Sequence, residues 1–274
     1  MPYVTASTDK TQIHYVEQGE GRPVVLVHGW PLSHRMWEAQ IAALVDAGYR
    51  VIAYNRRGFG DSGKPGGGYD YDVFAADLDD LVTALDLHDL ALVGFSMGGG
   101  EVARYIGRYG TGRLARAALL GAVPPFLLQT DDNPHGAPRE MFEGMVAGLK
   151  ADRIGFLDQF FPNFYNSDAG YPGHGADLIA FSKWIAWAAS PLATQACVMA
   201  FGTTDFRADL ARFDVPTLIA HGDADRIVPI EGSALLSHAL IPGSRLEVLE
   251  GAPHGFAATH AGALNALLID FLRD

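Results

Sequence analysis

The chain has 274 residues, 49 % hydrophobic and 19 % charged, the composition of a globular protein with material for a sizeable core, which excludes global disorder. Its 32 acidic against 20 basic side chains leave a formal charge of −12, so nucleic acid and anionic membranes are repelled. A single cysteine (Cys197), an N-terminus without a signal-peptide pattern and no apolar run near the roughly 18 residues of a membrane span lead us to expect a cytoplasmic protein with one large domain.

Residues 11–18 alternate loosely after the turn signal Ser7-Thr8-Asp9-Lys10, as in an N-terminal hairpin. Val24-Val25-Leu26-Val27 is a short continuous apolar run, the pattern of a strand buried on both faces. Helical spacing follows over residues 37–47 and stops at Gly48, a suitable C-cap. Residues 50–54 read as a second buried strand. Residues 71–85 read as an amphipathic helix with Asp77, Asp79 and Asp80 mostly on its solvated side. A strand at 90–93, a helix at 97–109 and a strand at 114–120 come next. The alternation resumes with strands at 217–220 and 246–249 and helices at 231–240 and 263–272. This rhythm predicts an α/β fold, a mostly parallel sheet of about eight strands flanked by helices.

Between residues 124 and 212 the rhythm breaks. That stretch holds Pro124-Pro125, a Gly/Pro-rich patch and the aromatics Phe126, Phe142, Phe156, Phe160, Phe161, Phe164, Trp184 and Trp187. We expect a helical cap insertion at 124–212 over the C-terminal edge of a core made of 1–123 and 213–274, with a minority of these aromatics reaching a ligand.

Gly94-Phe95-Ser96-Met97-Gly98 is a G-x-S-x-G between a predicted strand and a predicted helix. There a serine sits on a sharp turn with its hydroxyl exposed, and the flanking glycines avoid collisions with neighbouring strand and helix. A serine hydroxyl needs a base, and the base an orienting acid, in the order Ser, acid, His after later strands. His221-Gly222-Asp223-Ala224-Asp225 follows one such strand and Ala252-Pro253-His254 the next. Asp225 and His254 satisfy order and topology together. Asp223, immediately after the strand, is better suited to capping the loop. Two backbone donors for an oxyanion are expected from Met97 and, in the loop after residues 24–27, from Trp30. His28 reads as a hydrogen-bonding prop.

With these pieces assembled, the chain resembles the α/β-hydrolases and, more narrowly, the cofactor-free bacterial haloperoxidases with their aryl esterase and perhydrolase relatives. The matching residues include His28-Gly29-Trp30-Pro31-Leu32, Arg56-Arg57-Gly58-Phe59-Gly60, Ser96 with its glycines, Thr204-Asp205-Phe206-Arg207, His221 to Asp225 with Ile227-Val228-Pro229, and Ala252-Pro253-His254-Gly255-Phe256. The resemblance implies an α/β-hydrolase fold with Ser96, His254 and Asp225 as triad and Trp30 and Met97 as oxyanion donors. It also implies a substrate pocket including Trp30, Pro31, Ile227 and Val228, with Phe201 as a further wall. No cofactor or metal is implied. The substrates would be a small ester or carboxylic acid, with hydrogen peroxide replacing water in perhydrolysis, and members of the group are often homo-oligomers. Asn55 departs from the Asp usual before the Arg-Arg pair.

Other chemistries fit less well. Gly58 to Lys64 spells most of a P-loop, but Pro65 stands where the Mg²⁺-binding hydroxyl belongs. There is neither H-E-x-x-H nor C-x-x-C, and Cys197 lies in an apolar stretch that suits an inert core residue. Alternatives on the same fold are a lactonase, a C–C hydrolase, a hydroxynitrile lyase or a non-catalytic ligand-binding homologue.

Overall fold

The computed structural model describes residues 2–169 and 176–273. Its strands are β1 (Tyr3–Thr5), β2 (Gln12–Gln18), β3 (Arg22–Val27), β4 (Tyr49–Tyr54), β5 (Leu90–Phe95), β6 (Leu114–Leu120), β7 (Thr217–Gly222) and β8 (Arg245–Leu249). They form one sheet in the order β1-β2-β4-β3-β5-β6-β7-β8, antiparallel in the β1–β2 and β2–β4 pairs and parallel elsewhere. This is the α/β-hydrolase arrangement. The four apolar residues 24–27 of β3 are fully buried, and β5 is buried throughout, because helices cover both faces.

The helices are α1 (Glu38–Asp46), α2 (Tyr71–Ala84), α3 (Met97–Tyr109), α4 (Arg139–Phe164), α5 (Ala176–Trp187), α6 (Pro191–Thr203), α7 (Arg207–Leu210), α8 (Ala234–Leu240), α9 (Phe256–Thr259) and α10 (Ala261–Arg273). Asp70 caps α2 by accepting from the Val73 N–H at 3.0 Å. Among the described residues no single helix is long and apolar enough to cross a membrane.

Two expectations need correction. Asp77 is buried, not solvated: both its oxygens accept from Arg57, at 2.6 and 2.7 Å, across to the loop after β4. The predicted helix at 231–240 is instead a short 3-10 turn, Ile230–Gly232, followed by α8. Ser233 breaks it by leaving helical backbone (φ −136°, ψ −88°) while its hydroxyl donates to the Pro229 carbonyl at 2.7 Å. Helix α4 bends at Asp152 (φ −155°, ψ 90°), whose carboxylate accepts from the Gly155 N–H at 2.9 Å and so caps the second half.

β3 lies between β4 and β5, so the connection after β3 runs to one side of it and the connection after β4 crosses to the other. Loops after β3 and β5 therefore face each other at the topological switch point, the crevice where open α/β sheets place ligands. Helices α4, α5 and α6 lie between β6 and β7 in the chain, and residues of α4 and α6 face Ser96 across a cavity. Residues 170–175, which hold the Gly/Pro-rich patch of this stretch, lie outside the described residues.

Candidate active site

Ser96 joins β5 to α3 with φ +53° and ψ −120°, a left-handed backbone that a non-glycine residue adopts at a cost of about 1–3 kcal/mol. The chain can turn this sharply because its flanks are glycine. A Cβ on Gly94 would lie 2.5 Å from the Gly98 carbonyl oxygen, and one on Gly98 only 2.3 Å from that of Val27. The turn is anchored on the sheet by the Ser96 N–H donating to Leu120 O at 2.9 Å.

The Ser96 hydroxyl donates to His254 Nε2 at 2.9 Å, and His254 Nδ1–H donates to Asp225 Oδ2 at 2.6 Å. His254 follows β8, two strands further along the sheet than β6, and its ring is pinned between aromatic rings. Phe95 and Phe164 lie 5.1 and 4.9 Å from it, centroid to centroid. The other oxygen of Asp225 accepts from the Ile227 and Val228 N–H groups, each at 2.8 Å, and His221 Nε2 approaches Oδ2 at 3.2 Å. Burial works to raise the Asp225 pKa. The charge available on His254 and the hydrogen bonds from His221 and His254 outweigh it, so the carboxyl is held well below the usual range. Asp223 does something else: its Oδ1 accepts from the Gly251 N–H at 2.6 Å, tying the β7 and β8 loops together.

The turn after β3 reaches the serine directly, since a Cβ on Gly29 would stand 3.1 Å from Ser96 Cβ. Met97 opens α3, so its N–H has no carbonyl within the helix. Trp30 follows Gly29, and its indole N–H donates to Thr194 O at 3.1 Å, fixing it beneath α6.

Ser96 and His254 open onto a cavity of about 490 Å³. Trp30, Phe201, Ile227 and Val228 line it. Pro31 does not; it is buried within the same turn as Trp30. Of the eight insertion aromatics, Phe126, Phe142, Phe156 and Phe160 line the cavity. Phe161 and Phe164 are core, while Trp184 and Trp187 are 53 % and 43 % exposed.

The residues able to gather at a metal, among those described, are His14, His34 and Asp61. Asn55 works against that use. Its Oδ1 accepts from the His34 backbone N–H at 2.9 Å and from His34 Nδ1–H at 2.8 Å, which fixes the amide orientation. Its Nδ2 then donates to His14 Nδ1 at 3.0 Å, leaving the His14 proton on Nε2. Only one of the two imidazoles offers its outer nitrogen as a ligand. The glycine loop resembling a P-loop is closed on itself by a Gly58 N–H to Gly63 O bond of 2.8 Å, so it cradles nothing. Burial pushes the Cys197 thiol up to about 12, away from reactivity.

Sequence reasoning missed His221 as a second partner of Asp225 and Phe95 and Phe164 as walls of the imidazole. His221 and Phe95 sit inside motifs already singled out. Phe164 carried no signal, because its contact comes from a helix remote in the chain.

The alpha/beta hydrolase fold family matches the chain over residues 22–261. A non-heme chloroperoxidase of Kitasatospora aureofaciens is 46 % identical over 99 % of each chain. A bifunctional esterase/perhydrolase of Acinetobacter calcoaceticus is 36 % identical over 100 % of both. The crystal structure of a bromoperoxidase from Bacillus anthracis matches with a TM-score of 0.94 at 46 % identity, covering 100 % of this chain and 99 % of that one.

Proposed function

The chain belongs to the alpha/beta hydrolase family, and from that premise we propose a serine hydrolase of small carboxylic and aryl esters that also performs cofactor-free perhydrolysis. The observation that carries this reading is the hydrogen-bonded series Ser96–His254–Asp225 opening onto an apolar cavity. Ser96 Oγ attacks the ester carbonyl while His254 Nε2 takes its proton. The Trp30 and Met97 N–H groups hold the oxygen that becomes negative. The tetrahedral species collapses, the alcohol leaves with the proton from His254, and an acyl group remains on Ser96. Water then attacks with His254 again as base, releasing the acid and restoring the serine.

Hydrogen peroxide in place of water releases a peracid. The peracid passes one oxygen to a halide ion in free solution, returning the carboxylic acid and giving hypohalite. This accounts for haloperoxidase activity without a redox centre in the protein.

The helical segment 124–212 selects the substrate. Its aromatics give the cavity room well beyond an acetyl group, within the range of sites for drug-sized molecules. Aryl esters fit its rings.

The test is hydrolysis of p-nitrophenyl acetate by chelator-treated protein, alongside acetate, hydrogen peroxide and bromide with a bromination-sensitive dye. Both reactions should proceed in the wild type, and Ser96→Ala should lose at least about 10⁴-fold in kcat and all labelling by a fluorophosphonate. A Ser96→Ala rate near wild type overturns the mechanism. Lactone or cyanohydrin turnover far exceeding ester turnover would move the reaction class.

A further inference from the structure

We propose that Arg56 is a positioning residue for the oxyanion hole, bracing the turn that carries Trp30 against the helix that carries Met97; this rests on the acyl-enzyme reading above. Arg56 lies just beyond β4 and Glu101 in the second turn of α3. Arg56 Nε donates to Glu101 Oε2 at 2.6 Å, and both side chains are fully buried. From the same guanidinium, Nη2 donates to the His28 carbonyl at 2.9 Å, and the Arg56 backbone N–H donates to His28 Nε2 at 3.0 Å.

That last bond decides the imidazole. With Nε2 accepting, the proton resides on Nδ1, and Nδ1–H donates to the Gly29 carbonyl at 2.8 Å. The Leu32 N–H donates to the same oxygen at 3.0 Å. A trans peptide is a rigid plane in which C=O and N–H point in opposite directions. The Gly29–Trp30 peptide is trans, so fixing the Gly29 oxygen on one side fixes the Trp30 N–H on the other. The second donor, Met97 N–H, opens the helix that Glu101 belongs to. Glu101, Arg56 and His28 thus set the two donors relative to each other.

Stability alone does not account for this chain. A buried ion pair is commonly no better than apolar side chains of similar volume. Among the described residues Arg56 Nη1 and Glu101 Oε1 have no hydrogen-bond partner, which adds a desolvation cost. The arrangement is costly for the fold, and what it delivers is direction. Donors set in advance of the reaction are where acyl transfer gains most from its surroundings.

The decisive variant is Arg56→Met/Glu101→Leu, which removes both charges together and leaves no lone buried ion. On folded protein, kcat for p-nitrophenyl acetate should fall about 30- to 100-fold, since a small misplacement of a catalytic group costs up to about 10²-fold. KM should stay within about threefold, the mark of a loss confined to the transition state. Affinity for a trifluoromethyl ketone, which Ser96 converts to an oxyanion, should weaken by the same factor as kcat. The pH midpoint of kcat/KM should not move, because His254 and Asp225 are untouched. If the double variant fails to fold, His28→Phe carries the test: it keeps a ring but breaks the link to Gly29, with the same outcomes expected. Wild-type kcat and ketone affinity in a folded variant, or a loss confined to KM, overturns the proposal. Failure of the acyl-enzyme reading shows separately, as turnover surviving Ser96→Ala.

Discussion

The strand-end loops and the helices above them are built by different physics. In the loops after β3, β5, β7 and β8, directional hydrogen bonds hold the reacting groups and the turns beside them. Asp225 accepts from Ile227, Val228 and His254, with His221 Nε2 3.2 Å from its Oδ2, and the Gly29 oxygen takes two donors. Across the cavity, α4 and α6 offer Phe142, Met145, Phe156, Phe160 and Phe201, where Trp30 meets Phe160 and Phe201 edge-on, Phe142 meets Phe201 edge-on and Phe156 stacks on Phe160. Hydrogen bonds are directional and fail abruptly; apolar contacts trade volume for volume and degrade gradually. The lesson is that changes below the cavity should act on kcat and changes above it on KM and substrate range.

The sharpest way to break this contrast is Asp225→Asn. The Ile227 and Val228 N–H groups need an acceptor, so the Asn oxygen must stay where Oδ1 is now. The NH₂ group then faces His254 Nδ1, which must accept, and the imidazole proton moves to Nε2 opposite Ser96. A base already protonated there cannot take the serine proton. We expect kcat to fall about 10³- to 10⁴-fold in a folded protein with KM little changed. Asp223→Asn, two residues away, still accepts from Gly251 and should change kcat less than about threefold. Similar losses from both would mean that the loop, not the imidazole tautomer, controls the rate.

Much of the lower region was legible in the sequence because each of its groups sits where an apolar strand ends. Ser96, Asp225 and His254 follow β5, β7 and β8, and chain order alone ranks them. Asp77 was not legible. Helical periodicity shows that three acids share a stretch, but not that Arg57 arrives opposite one of them from another loop. The same limit applies to the cap: composition supplied its aromatics, yet whether Phe160 faces the cavity or Phe161 faces the core depends on the bend of α4 at Asp152. Pro31 was placed with its neighbour Trp30, and the turn separates them. Direction between elements far apart in the chain is what the residues do not encode locally.

Phe160→Ala tests the upper region. Phe160 meets the Trp30 ring edge-on at 5.2 Å and faces the cavity. Removing it should raise KM for an aryl ester about tenfold, in line with a lost aromatic pair of roughly 1–1.5 kcal/mol, while kcat for p-nitrophenyl acetate stays within about threefold. A drop in kcat with unchanged KM would show that the cap also shapes the transition state.

The smallest expected effect is on stability, and it separates the regions by pH. Burial, with the neighbouring Arg56 charge, holds the fully buried His28 imidazole well below its usual pKa, so the native ring stays neutral as pH falls. The unfolded chain takes up that proton near pH 6.5, which means the unfolded state gains protons that the native state refuses. Stability from this group is therefore present above about pH 6.5 and lost below it, at up to about 1.4 kcal/mol per pH unit until the native pKa is reached. Asp225, depressed as a carboxylate, contributes above its unfolded value near 4 and has nothing to lose between pH 7 and 5. Thermal unfolding of wild type and His28→Phe over that range should differ in slope, the wild type falling by about 2–4 °C more for each kcal/mol that His28 loses. Phe160→Ala should keep the wild-type slope, because the cap side chain it removes does not titrate. Equal slopes in wild type and His28→Phe would mean that the buried imidazole takes up its proton without unfolding, and the Nε2 acceptor that holds the Arg56 N–H would then be lost in mild acid.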